Sequence, residues 1–215
     1  MYRIKRYRKD LYCVTFDKQY DLAMTFVRYQ EFYESESSAF QGEYFKLDNF
    51  IRWYSLKHGK GSFTYPKDFN GFNLPGRLIG DIARTLLESK YDHCTMYDLI
   101  MFKIVNEIKC QTGDWDFYLI GVCKKGDKTT HKHEIVHGLY YLNSDYSDNV
   151  LRLIYSLPKQ VRKIMYKALK NAGYGYNVYN DEINAYMVTG LRNEMNYKCI
   201  KACRKQFKDL FKEHF

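Results

Sequence analysis

The chain has 215 residues, 46% hydrophobic and 27% charged, with a formal net charge of +9. That balance excludes a disordered chain, and the length holds one domain or one domain with a sizeable addition. No run approaches a transmembrane helix, and the positive stretch MYRIKRYRKDLYCVTF lacks the apolar core of a signal peptide, so a cytoplasmic protein without a membrane partner is expected.

In chain order, residues 2–16 alternate as one strand, and its charges suit a sheet edge. Residues 19–34 read as a helix. LDNFIRWYSLKHGKG reads as a second, capped by Asp48, with Phe50, Ile51 and Tyr54 on one face and Gly59 at its end. The loop GKGSFTYPKDFNGFNLPG carries Phe63, Tyr65, Phe69 and Phe72, aromatics expected to pin it to the body. GRLIGDIARTLLES places Leu78, Ile79, Ile82 and Leu86 on one helical stripe. TMYDLIMFKIVNEIKCQTG starts on a Thr95–Asp98 capping box, stops at Gly113, and is apolar enough all round to predict a central buried helix.

DWDFYLIGVC, residues 114–123, is the clearest strand. A helix containing HKHEIVHGLYY follows it, then a short helix in SDNVLRLIYS. PKQVRKIMYKALKNAG is a strong amphipathic helix ended by Gly173. The tyrosine-rich YGYNVY leads to NDEINAYMVTG, a helix expected to be capped by Asn180. The terminal helix NYKCIKACRKQFKDLF is expected to turn Ile200, Cys203, Phe207 and Leu210 inward. The six cysteines are scattered with no C-x-x-C, and read as small buried hydrophobes.

The chemistry concentrates in His133-Glu134-Ile135-Val136-His137. On a helix, positions i and i+4 share a face, so two imidazoles can meet one metal ion. Glu134 lies about 100° further round, close enough to touch a water on that metal without being a ligand. A catalytic zinc site takes three protein ligands and leaves a fourth position open. Tyr140 and Asn143 stand where a longer histidine motif would have its glycine and third histidine. A carboxylate from a later helix is the other solution. Glu182 offers one, with small Ala185 allowing close approach. Asp181 is the competing carboxylate, although at a helix start it more often caps.

H-E-x-x-H on one helix and E-x-x-A-Y on a later one, with the strand DFYLIGVC just before, resembles the gluzincin branch of zinc metallopeptidases, in particular its compact members. The resemblance covers about residues 76–190. It implies an α+β, mostly helical zincin-like fold with a small sheet whose edge strand precedes the HExxH helix. The expected organisation is an unassigned segment over 1–75 packed on a metallopeptidase domain over 76–215. It further implies Zn2+ held by His133, His137 and Glu182, Glu134 as catalytic base, and a peptide or protein substrate lying along that strand as an added strand. A second electrophile would help hold the oxyanion, and Tyr174, Tyr176 and Tyr179 are candidates.

Two other readings stand beside the peptidase: an inactive metal-binding relative acting as an interaction protein, and a basic nucleic-acid-binding protein. The charge behind the last lies at the ends. Arg3, Lys5, Arg6, Arg8 and Lys9 load the first residues, and Lys198, Lys201, Arg204, Lys205, Lys208 and Lys212 the last. Without a nucleic-acid motif these are expected to be solvated surface, capable of non-specific nucleic-acid contact.

Overall fold

In the computed structural model, which describes residues 1–88 and 91–215, the stretch read as one strand is a hairpin. Strand β1 (Tyr2–Arg8) turns through Asp10, at φ 64°, into antiparallel β2 (Leu11–Phe16). Aspartate is among the few residues that enter the left-handed region at modest cost. β1 carries the charges and forms the edge, while β2 is buried along almost its whole length.

The sheet is completed by β3 (Gly71–Pro75), which emerges from the aromatic loop, and β4 (Tyr118–Cys123), in the order β1-β2-β4-β3. β4 pairs parallel with β2 and antiparallel with β3. The α+β class holds, but the expectation that an edge strand precedes the HExxH helix does not. β4 is an interior strand with every residue buried, so its backbone is engaged on both sides and has no room for an added substrate strand. A continuous apolar run buried on both faces is what an interior strand requires.

The residues divide into two compact units, Met1–Asp127 and Lys128–Phe215. The boundary drawn after residue 75 falls within the first, between β3 and the helix that follows it. That unit holds the sheet with α1 (Gln19–Glu34), α2 (Leu47–Lys57), the single turn α3 (Tyr65–Asp68), α4 (Gly76–Glu88) and α5 (Met96–Thr112). α1 lies so close to β4 that a Cβ on Gly121 would stand 2.6 Å from the Phe26 ring. The loop aromatics do pin their segment: Tyr65 and Phe72 are fully buried, and Tyr65 meets Phe50 edge-on at 5.5 Å.

α5 has the expected capping box and ends on Gly113 at φ 85°. It is not buried all round, however. Met101, Ile104, Val105 and Ile108 face inward while Met96 and Leu99 are exposed, because only one side of the helix meets the core. Nor does Asp48 cap α2. The Leu47 N–H donates to Asp92 Oδ2 at 2.8 Å instead. The same carboxylate pairs with the buried Arg28 guanidinium at 2.8 Å, and Arg28 Nε pairs with Asp98 of the α5 capping box at 3.1 Å. One cation from α1 therefore neutralises the acids at the starts of two other helices.

The second unit is helical: α6 (Lys128–Leu142), α7 (Ser144–Ser156), α8 (Lys159–Asn171), α9 (Tyr179–Thr189) and α10 (Lys198–His214), with 3-10 turns at Tyr176–Val178 and Asn193–Met195. Asn143 caps α7 by accepting from the Tyr146 N–H at 2.9 Å. α8 buries Val161, Met165, Ala168 and Leu169, as its stripe predicts. α10 turns Ile200, Phe207 and Phe211 inward, leaving Cys203 and Leu210 only partly covered. None of the six cysteines is in a disulfide; Cys13 and Cys123 are buried as expected, but Cys110 and Cys199 are exposed. No helix among the described residues is long and apolar enough to cross a membrane.

Candidate metal centre

Helical spacing sets His133 and His137 one turn apart on α6, their rings 4.8 Å apart between centroids. Val136 and Leu139 are buried and fix that helix in the unit, while Ala185, fully buried, lies on the facing helix α9. α9 carries Glu182 between the two imidazoles. Its Oε2 stands 3.6 Å from His133 Nε2 and its Oε1 3.6 Å from His137 Nε2. One ligand atom from each of the three side chains lies within 4.8 Å of the others.

The far nitrogen of each ring is held separately. His133 Nδ1 lies 3.2 Å from Thr189 Oγ1, whose own proton goes to the Ala185 carbonyl at 2.6 Å. A hydroxyl has one proton to give, so its oxygen must accept from His133. With Nδ1 engaged by Thr189, Nε2 is the nitrogen turned to Glu182. His137 Nδ1 donates to Asp181 Oδ2 at 2.9 Å. Both histidines therefore have the arrangement that metal-ligating imidazoles take, one nitrogen anchored and the other presented.

Asp181 departs from expectation. The helix was predicted to open on Asn180, with Asp181 as an alternative cap. Instead α9 continues directly from the 3-10 turn, starts at Tyr179 and has no side-chain cap. Asn180 Oδ1 accepts from the Tyr166 hydroxyl at 3.2 Å. This start turns Asp181 inward to His137. The signal in the sequence was the adjacency of two acids on a helix facing two histidines; the capping preference of aspartate hid it.

The cluster is electrostatically set for a cation. Burial pulls the His137 pKa down, but the carboxylates of Asp181 and Glu182 more than reverse this, and it stands well above the ordinary histidine value. Burial raises the Asp181 carboxyl, with His137 opposing. For Glu182 the two histidines outweigh burial and hold it below the usual carboxylate range. Glu134 is buried beside them, and its charge is another that raises His137.

A zinc ion fits this donor set. Bonds of about 2.0–2.2 Å at tetrahedral angles separate ligand atoms by about 3.3–3.6 Å. One atom from each of the three residues lies within 4.8 Å of the others, and each imidazole Nε2 lies 3.6 Å from one Glu182 oxygen, so small side-chain adjustments would close the set on an ion. At 3.6 Å neither histidine–glutamate contact is a hydrogen bond. Glu182 Oε2 is buried without a hydrogen-bond partner among the described residues, an unsatisfied acceptor of the kind that a coordinated cation would satisfy.

A wall of three further side chains adjoins the cluster. The Tyr186 ring packs 4.7 Å from that of His133. Its hydroxyl lies 2.9 Å from that of Tyr174 and accepts from Arg192 Nη1 at 3.1 Å. Of the three tyrosines considered as electrophiles, only Tyr174 is drawn to this side, and burial pushes its hydroxyl pKa far up. Tyr176 and Tyr179 line a separate groove on α8. His131 belongs to the first turn of α6 and is not one of the grouped ligands. No protein-family model, curated protein or solved structure matches the chain.

Proposed function

We propose that this chain is a zinc-dependent peptidase of the gluzincin kind, acting on a peptide or protein. The observation that carries the reading is the buried Glu182 carboxylate, without a hydrogen bond at Oε2, spanning two imidazoles whose Nε2 atoms both face it at 3.6 Å. His133, His137 and Glu182 would hold the ion; Thr189 and Asp181 keep the rings in the tautomer and orientation that presents Nε2. When bound, zinc lowers the pKa of a coordinated water and polarises the scissile carbonyl.

Glu134 follows His133 directly, so it sits next to the ligand face without belonging to it. Its carboxylate takes the proton from the attacking water and delivers it to the departing amine. The enclosed position strengthens each of these interactions relative to open water. The test joins elemental analysis to hydrolysis of a peptide pool. The purified protein should carry about one zinc per chain. Glu134→Gln should keep that zinc and lose about 10²–10⁴-fold in cleavage rate. Cleavage at the wild-type rate by that variant, or full zinc in both His133→Ala and His137→Ala, defeats the reading.

A further inference from the structure

The second unit carries a groove of about 690 Å³ that the hydrolytic reading leaves unused. One wall is helix α8, which contributes Lys159, Arg162, Lys163, Lys167 and Lys170, and no carboxylate lines the groove. Lys159, Lys163 and Lys167 follow one another at four-residue steps, about 6 Å apart along the axis. Like charges at that spacing repel, and cations in the first turn oppose the helix dipole. Among the described residues none of the five lies in an ion pair, so the fold leaves this repulsion unrelieved. Arg162 Nε is buried with no hydrogen-bond partner among the described residues.

The groove is aromatic as well: Tyr166, on the same helix, packs against Tyr179 at 5.6 Å, and Tyr179 against Tyr176 at 5.3 Å. Tyr176 is 80% exposed, so its ring is open to a partner entering the groove.

Cations in a row demand an anionic chain, and exposed rings demand planar partners. An acidic polypeptide supplies only the first. Duplex nucleic acid has its base faces already stacked inside. An unpaired strand supplies both, with phosphates for the lysines and base faces that stack on aromatic rings regardless of sequence. We propose that this groove binds single-stranded nucleic acid, RNA or DNA, with its phosphates along α8 and bases against Tyr176 and its neighbours. The site shares no residue with the His133–His137–Glu182 cluster, so it stands or falls independently of the peptidase reading.

The test is fluorescence anisotropy with the full-length protein and labelled oligo-U and oligo-dT. Unlabelled duplex DNA and polyglutamate serve as competitors. Both labelled strands should bind, and the tighter of the two names the natural source. Log affinity should fall with log salt at a slope of about −3.5, from about 0.7 per phosphate engaged by five cations. Lys163→Glu with Lys167→Glu should weaken binding about tenfold or more. Tyr176→Ala should weaken it about fivefold or more while Tyr176→Phe binds as wild type, because only the ring is needed. Tyr176 is exposed, so its variants test the proposal without endangering the fold. Oligonucleotide binding that neither set of substitutions weakens overturns it. So does a Tyr176→Ala variant with wild-type affinity whose oligonucleotide is displaced equally well by polyglutamate, a result that would assign the groove to acidic polypeptides.

Discussion

Asp181 Oδ2 lies 2.9 Å from His137 Nδ1, and the next residue, Glu182, turns its own carboxylate to the other nitrogen of the same ring, 3.6 Å from Nε2. Two consecutive acids thus take one imidazole from both sides, one by hydrogen bond and one across a gap that a metal would fill.

This pairing separates the two acids by the size of their effect on zinc affinity. Glu182→Ala removes a proposed ligand and should weaken zinc binding by orders of magnitude. Asp181→Ala removes only the group orienting a ligand and should cost about 10–100-fold. Asp181→Asn keeps an acceptor for Nδ1–H and should recover part of that loss. Competition titrations against a zinc-binding dye measure all three. Equal affinities for Glu182→Ala and Asp181→Ala would contradict the assigned roles.

Removing the metal should also loosen the helical unit, because binding to the folded state alone adds to its stability. At a free zinc concentration a thousandfold above the dissociation constant the gain is about 4 kcal/mol. Chelation should therefore lower the melting transition by several degrees, and zinc re-addition should restore it. The His133→Ala variant should melt low and be indifferent to chelator. Differential scanning fluorimetry with and without chelator checks this.

What could be read from the sequence was set by local spacing. The HExxH histidines, the Thr95 capping box and the α8 stripe each depend on residues within about a turn or two, and the structure places them as that spacing implies. Sheet order was not legible. Whether DFYLIGVC lies at an edge depends on β3, and β3 was hidden in GFNLP among aromatics, glycine and proline that read as loop. The role of Asp181 was lost for a related reason. Its inward turn depends on where α9 starts, and a 3-10 turn running into the helix moves that start two residues earlier.

Glu31 supplies a pH dependence outside the metal site. It lies on α1, 7% exposed. Burial lifts its pKa from the ordinary 4.5 to about 7, with the Ser35 and Tyr65 hydroxyls partly opposing. The folded state thus holds the proton more tightly than the unfolded chain does, so this residue's contribution to stability falls as pH rises from 4.5 to 7 and stays low above. The full difference is about 3 kcal/mol. Glu31→Gln has no charge to bury. In urea unfolding its stability relative to wild type should rise through that window and level off above it. A difference that is constant between pH 4 and pH 8 would show that Glu31 does not titrate there.

Arg28 is the most exacting test of the first unit. Its guanidinium is 2% exposed and faces Asp92 and Asp98. Arg28→Ala removes the guanidinium that both buried acids face and should cost about 3–5 kcal/mol. Acidification should recover part of the loss in the variant, because protonated acids need no counter-ion. Chemical denaturation at neutral and acidic pH measures both.

The Arg28 network also bears on the order in which the chain acquires its structure. Helix α2 has no cap of its own; its first N–H is satisfied by Asp92, 45 residues downstream. Arg28 reaches 64 residues to the same acid and 70 to Asp98. A segment that covers α2 alone lacks the acceptor that starts its helix, and eleven residues are too few to hold a helix in water without tertiary support. α5, whose capping box is local, can nucleate by itself, whereas α2 has to wait until the chain has closed on Asp92. Loop closure before helix formation is the slower sequence of events. A kinetic phase that reports on α2 should therefore coincide with docking of the segment around Asp92 and not precede it.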